Sequence, residues 1–91
     1  MTAPTPLPAN SRKLRDHRFE VDVYGPKNER GGYPSIATGR FLTDADARAW
    51  ADEVYPDAFG ARVTYFSART GWRSQMVAAR RDGTWGPAVI R

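Results

Sequence analysis

Phe41-Leu42-Thr43-Asp44-Ala45-Asp46-Ala47-Arg48-Ala49-Trp50-Ala51 is the stretch where a strand hands over to a helix. Thr43 followed three residues on by Asp46 reads as a capping box. In that motif the hydroxyl accepts from an early helix amide while the carboxylate reaches back. Ala47, Trp50, Ala51 and Val54 recur at i, i+3, i+4 and i+7, which places one apolar stripe along the helix and predicts burial of Trp50 and Val54. Pro56 cannot continue the helix and biases Tyr55 away from the α region. The spacing therefore predicts a helix over Thr43–Tyr55.

On either side of this helix the pattern changes to strands. Phe19, Val21 and Val23 alternate with Arg18, Glu20, Asp22 and Tyr24, which predicts a first strand over Arg18–Tyr24. Gly25-Pro26 and Gly31-Gly32 bracket a charged loop, so Gly25–Pro34 reads as one long connection into a second strand, Ser35–Leu42, interrupted by Gly39. After the helix, Pro56-Asp57-Ala58-Phe59-Gly60 turns the chain into Ala61–Ala68, with Val63 and Tyr65 on one face and Phe66 on the other. Arg69-Thr70-Gly71 suits a tight turn into Trp72–Arg81, and Asp82-Gly83 signals a two-residue hairpin into Thr84–Ile90. Pro87 confines that last strand to an edge or an end of the ladder. The expected fold class is α+β, a small antiparallel sheet in the order β-β-α-β-β-β with one amphipathic helix on one face.

Ninety-one residues make one small domain, burying roughly 60–65% of the unfolded surface. Residues 1–16 read as a flexible Pro-rich and basic arm, with 17–91 as a single domain; the alternating prolines of residues 1–11 favour mobility. Three Trp, four Tyr and four Phe supply large rings for the core. There is no Cys, which excludes disulfides, thiolate nucleophiles and cysteine metal sites. No apolar run matches a signal peptide or membrane span, so a cytoplasmic protein with no membrane partner is expected.

The net charge of +4 is unevenly spread. Residues 42–60 carry one basic and five acidic groups, whereas residues 61–91 carry six basic groups and one acidic group. Such polarity can steer a charged partner. Twelve of the fourteen basic residues are Arg, a bias that GC-rich codon usage also produces.

Catalysis finds little support. His17 is the one histidine, and neither Ser67 nor Ser74 sits in a nucleophile-elbow pattern. A lone histidine does not make a metal site. Asp44 with Arg48 and Arg48 with Asp52 are i,i+4 partners on a solvated helix face, rather than acid–base pairs. No P-loop or dinucleotide fingerprint occurs. The expectation is a non-enzyme without a cofactor.

Nucleic-acid binding is the leading expectation. Arg62, Arg69, Arg73, Arg80 and Arg81 are interleaved with Tyr65, Trp72 and Trp85. Arginine on phosphates gives salt-sensitive affinity, and exposed rings stack on unpaired bases. Arg62, Tyr65, Arg69, Arg73, Arg80 and Arg81 are the candidate contacts. Simple alternation places Phe66, Met76 and Trp72 on one side and Tyr65, Arg73, Gln75 and Arg81 on the other. Across the Asp82-Gly83 turn, Arg80 should face Trp85, a pairing that can equally be a plain cation–π contact. The alternative is an accessory module that binds and modulates a host or cellular protein, through an edge strand or a helix face.

Arg18–Tyr24, a glycine-containing turn, and Phe41-Leu42-Thr43 running into Asp46-Ala47-Arg48-Ala49-Trp50 resemble the arm-type DNA-binding domain of tyrosine recombinases. In that family a short antiparallel sheet precedes a helix that opens with an aromatic, a threonine and an alanine-rich segment. The likeness covers Arg18 to Val54. It implies DNA contacts from Arg18, Lys27, Arg30 and Arg40. The chain as a whole is also similar in style to small accessory proteins of GC-rich actinobacteria and their phages.

Overall fold

A computed structural model of the chain describes residues 3–87. The alternation around Val21 forms β1 (His17–Tyr24), and the following loop leads into β2 (Ser35–Phe41). Asn28 organises that loop, its Oδ1 accepting from the backbone N–H groups of Arg30 and Gly32 at 3.0 Å each. Thr43 then caps α1 (Asp44–Val54), its Oγ1 accepting from the Asp46 N–H at 3.1 Å. The hydroxyl half of the expected capping box is thus in place. Tyr55 closes the helix just before Pro56, as the sequence pattern predicts.

β3 (Gly60–Ser67), β4 (Arg73–Arg81) and β5 (Thr84–Pro87) complete a five-stranded antiparallel sheet in the order β2-β1-β3-β4-β5. β2 and β3 flank β1, so α1 carries the chain across one face of β1 from one neighbour to the other. The fold is α+β, with the helix on a single face. Between β3 and β4 the chain makes a 3-10 turn at Ala68–Thr70, followed by Gly71 and Trp72, both left-handed with φ 69° and 63°. Asp82 and Gly83 also have positive φ, as a tight hairpin between strands of right-handed twist requires. Of the expected last strand Thr84–Ile90, residues 88–90 lie outside the described residues.

The core is the layer between helix and sheet. Val21, Val23 and Val63 are fully enclosed, joined by Phe41, Ala61 and the helix residues Ala47, Trp50 and Ala51. Gly39 does not interrupt β2; it pairs with Val21 and makes room for the helix. A Cβ there would stand 2.8 Å from Phe41 Cε2 and 3.1 Å from Trp50 Cζ3. Gly39→Ala is therefore expected to destabilise the fold by about 1–3 kcal/mol through overpacking, measured as a lower denaturation midpoint.

Two expectations about the helix need correcting. Val54 is not buried but 47% exposed. Its place is taken by Tyr55, which leaves the helix axis and packs edge-on against Trp50 at 5.4 Å. Nor does Arg48 share itself between two aspartates. It pairs with Asp44 at 2.7 Å, and Asp52 turns away to the sheet.

The N-terminal segment joins the domain earlier than position 17. The Leu7 N–H donates to the Arg40 carbonyl on the outer edge of β2 at 2.8 Å. Residues Arg12–Leu14 form a 3-10 turn capped by Ser11, and Leu14, the apolar member of the basic run, is buried.

Candidate nucleic-acid interface

Which face each arginine of β4 occupies is set by one bulge. Val63 pairs with Ala78 but Thr64 pairs with Met76, so Val77 is an extra residue in β4. Before it, Arg73 and Gln75 lie on the helix side with Ser67 and Tyr65; after it, Ala78 and Arg80 do. Arg81 consequently falls on the opposite, helix-free face with Thr64, Phe66 and Met76. The simple alternation that placed Arg81 with Arg73 is thereby corrected. The rest of that expectation holds, with Phe66 and Met76 on one face and Tyr65, Arg73 and Gln75 on the other.

The six candidate contacts therefore do not form one surface. Arg80 is 3% exposed and faces the helix. Its guanidinium donates to Asp52 Oδ1 at 2.7 Å and to the Tyr55 carbonyl at 2.6 Å. Trp85 stands opposite Arg80 as the hairpin requires, and its indole N–H donates to the same carboxylate at 3.0 and 3.1 Å. The Arg80 guanidinium also lies 5.7 Å from the Trp85 ring centroid. This cluster pins the end of α1 to β4 and β5. Tyr65 packs on Phe19 at 4.8 Å beside His17, as a partly buried member of the helix-side layer. Arg69 is exposed in the 3-10 turn, and Arg73 is exposed at the start of β4. Only Arg62 and Arg81 share the helix-free face.

Catalytic geometry does not develop around the histidine. His17 and Ser67 are cross-strand partners. Even so, the Ser67 hydroxyl accepts from the Arg69 N–H at 3.2 Å, and His17 Nε2 lies 3.3 Å from the Leu42 carbonyl. Both groups are turned to backbone, not to each other. Among the described residues no cluster of His, Asp and Glu can hold a metal ion.

The helix-free face carries Arg18, Arg40, Arg62 and Arg81 against Glu20 and Asp22. Glu20 is shared by Arg40 at 2.9 Å and Arg18 at 3.4 Å, and Asp22 accepts from the Thr38 hydroxyl at 2.8 Å. Arg62 and Arg81 have no ion-pair partner among the described residues. The Arg62 guanidinium lies over the Tyr24 ring at 5.7 Å, and one of its N–H groups points at Met76 Sδ at 3.8 Å. Burial pushes the Tyr24 phenol above its ordinary value of 10.0, with Arg62 opposing the shift, Asp22 adding to it and Arg81 opposing it. Tyr24 is accordingly a neutral ring at physiological pH.

Sequence reasoning missed two further rings. Tyr33 in the first loop and Phe59 before β3 stack at 5.4 Å with their planes 17° apart, and they remain 53% and 54% exposed. With Tyr24, Arg62, Met76 and Arg81 they border one wide, open concavity of about 1160 Å³. The available signal was a large ring beside Gly or Pro in a turn, where folding alone gives it no core to enter. At the other end of the face the Arg18 guanidinium sits between Phe66 at 4.6 Å and Trp72 at 5.1 Å. Its ε nitrogen is buried and makes no well-formed hydrogen bond, but it lies 3.4 Å from Glu20 Oε2, so this ion pair and the two ring faces together hold the charge there. Of the other residues singled out by the recombinase likeness, Arg40 lies on this face, while Lys27 and Arg30 are exposed in the first loop.

No protein-family model, curated protein or solved structure matches this chain.

Proposed function

We propose that this protein is a non-catalytic binding module that grips nucleic acid on the helix-free face of its sheet. The observation that carries the reading is the meeting of Arg62 and Arg81, neither of them in an ion pair among the described residues, with Tyr24, Tyr33 and Phe59 around one open concavity that Asp22 and Asp82 also line. Unpaired arginines exchange condensed counterions for phosphate oxygens, and rings offer π-faces to bases. The acidic groups of α1 lie on the opposite side, so the molecule presents its positive face outward and keeps its negative one away.

The test is anisotropy of a labelled oligonucleotide titrated with protein across a salt series. Affinity is expected to fall steeply with salt. The Arg62→Ala/Arg81→Ala protein should bind more weakly to every sequence, with the slope of log K against log salt reduced by about 1.4 for a single strand. Both side chains lie on the face away from the helix-side core, so the double variant retains the fold. No salt-dependent binding to any nucleic acid would overturn the reading.

A second reading has its own observation. Tyr33, Phe59 and Ile36, all more than half exposed, give apolar surface at the same end of the sheet. That surface suits a protein partner, in which case the protein is an accessory module that modulates a host or cellular protein.

A further inference from the structure

We infer that the occupant of this face is a single strand of about four nucleotides, its bases stacked on Tyr33–Phe59 at one end and on Trp72 at the other. The inference rests on the nucleic-acid reading above and deepens it. Three observations support it.

First, the exposed rings sit at both ends of one face. Tyr24 closes β1 beside Arg62 and the Tyr33–Phe59 pair, and Arg18, the second residue of β1, pairs with Phe66 and lies against Trp72. Six residue steps separate Tyr24 from Arg18, or about 20 Å of strand. That span fits about four nucleotides, the short end of the site sizes that small β folds cover.

Second, Trp72 is held at a backbone angle that a bulky residue rarely adopts. Its φ of 63° follows Gly71 at 69°, and its ring is still 42% exposed. A glycine would relieve the left-handed backbone, whereas tryptophan there adds strain. The ring secures the Arg18 guanidinium on its inner side and leaves its outer side free. Retained strain of this kind marks a position where the side chain itself is used.

Third, the helix is not placed to read a duplex groove from this face. Grooves admit a protruding helix or ribbon, and here the one α-helix among the described residues lies behind the sheet and carries Asp44, Asp46, Asp52 and Glu53. A duplex hides its base faces, so the exposed rings would have no stacking partner. A single strand shows both its bases and its phosphates to such a surface.

Oligothymidylates of one to eight nucleotides and a hairpin duplex, titrated at constant salt, test this. Affinity should climb with length to about four nucleotides and then flatten, and the duplex should bind at least tenfold more weakly. Tyr33→Leu/Phe59→Leu should weaken binding of the four-nucleotide strand by about tenfold or more while leaving the salt slope unchanged, because stacking releases no counterions. Trp72→Leu should act in the same way. A duplex that binds as tightly as the single strand, or ring variants that bind like the parent protein, would overturn this inference and leave the nucleic-acid reading standing. Failure of both strand forms to bind would overturn the two together.

Discussion

Trp50→Ala should lower the stability of this domain by about 3–5 kcal/mol, the cost of emptying a buried aromatic site. Trp50 is the largest side chain between helix and sheet, flanked by Phe41 at 5.7 Å and by Tyr55 at 5.4 Å. The absence of a side chain at Gly39 lets the indole approach the sheet closely. Neighbours on two strands and the helix end cannot all collapse into the space it leaves. A domain of this size has about 5–15 kcal/mol of total stability, so the variant should stand close to unfolding at room temperature. Urea denaturation followed by circular dichroism measures the loss. An unchanged midpoint would mean that the indole is not the keystone of the layer.

Asp52→Ala should cost about 3 kcal/mol, although Asp52 is itself half exposed. The size of the effect comes from its partner. Arg80 is almost wholly enclosed, and its one ion-pair partner among the described residues is Asp52, with the Tyr55 carbonyl and the face of Trp85 as the remaining compensation. Removing one member of a buried pair leaves the other charged in a poor solvent, at about 3–5 kcal/mol, and the exposure of Asp52 places this case at the lower end. Arg80→Met, which removes the charge and keeps much of the volume, should cost far less. Equal losses from the two substitutions would show that the contact matters for its geometry rather than for the stranded charge.

The helix was legible because its signals are local. Thr43, the Ala47–Trp50–Ala51 spacing and Pro56 each act within a few residues, and Asp82-Gly83 likewise determines its own turn. The strands were legible to within a residue or two for the same reason, since Phe19, Val21 and Val23 alternate cleanly. The bulge at Val77 was not. Val77-Ala78-Ala79 is a run of small and apolar residues without alternation, so nothing in it fixes which residue is extra, and the faces of Arg80 and Arg81 depend on that choice. The partner of Asp52 was hidden too. Helical spacing offers Arg48, and only the tertiary fold brings Arg80 within reach from 28 positions away. Tyr33 and Phe59 sit in turns that carry no period, and they meet only because β1 pairs with both β2 and β3.

Function was less legible than fold, because a run of arginines looks the same whether its members are buried, edge-bound or free. Five arginines and a tyrosine stood out as candidates in the C-terminal segment. The fold uses Arg80 and Tyr65 internally, leaves Arg69 and Arg73 away from the helix-free face, and brings Arg62 and Arg81 together with rings from elsewhere in the chain.

A nitrogen–proton correlation spectrum of labelled protein, recorded as a four-nucleotide single strand is added, reports which face is occupied. The shifts should move at Tyr24, Tyr33, Phe59, Arg62, Met76 and Arg81, and at Arg18 and Trp72, while Ala47–Asp52 and Tyr65 stay in place. Perturbations centred on α1, or on Arg69 and Arg73 with the helix-free face unmoved, would contradict the assignment of binding to this side of the sheet.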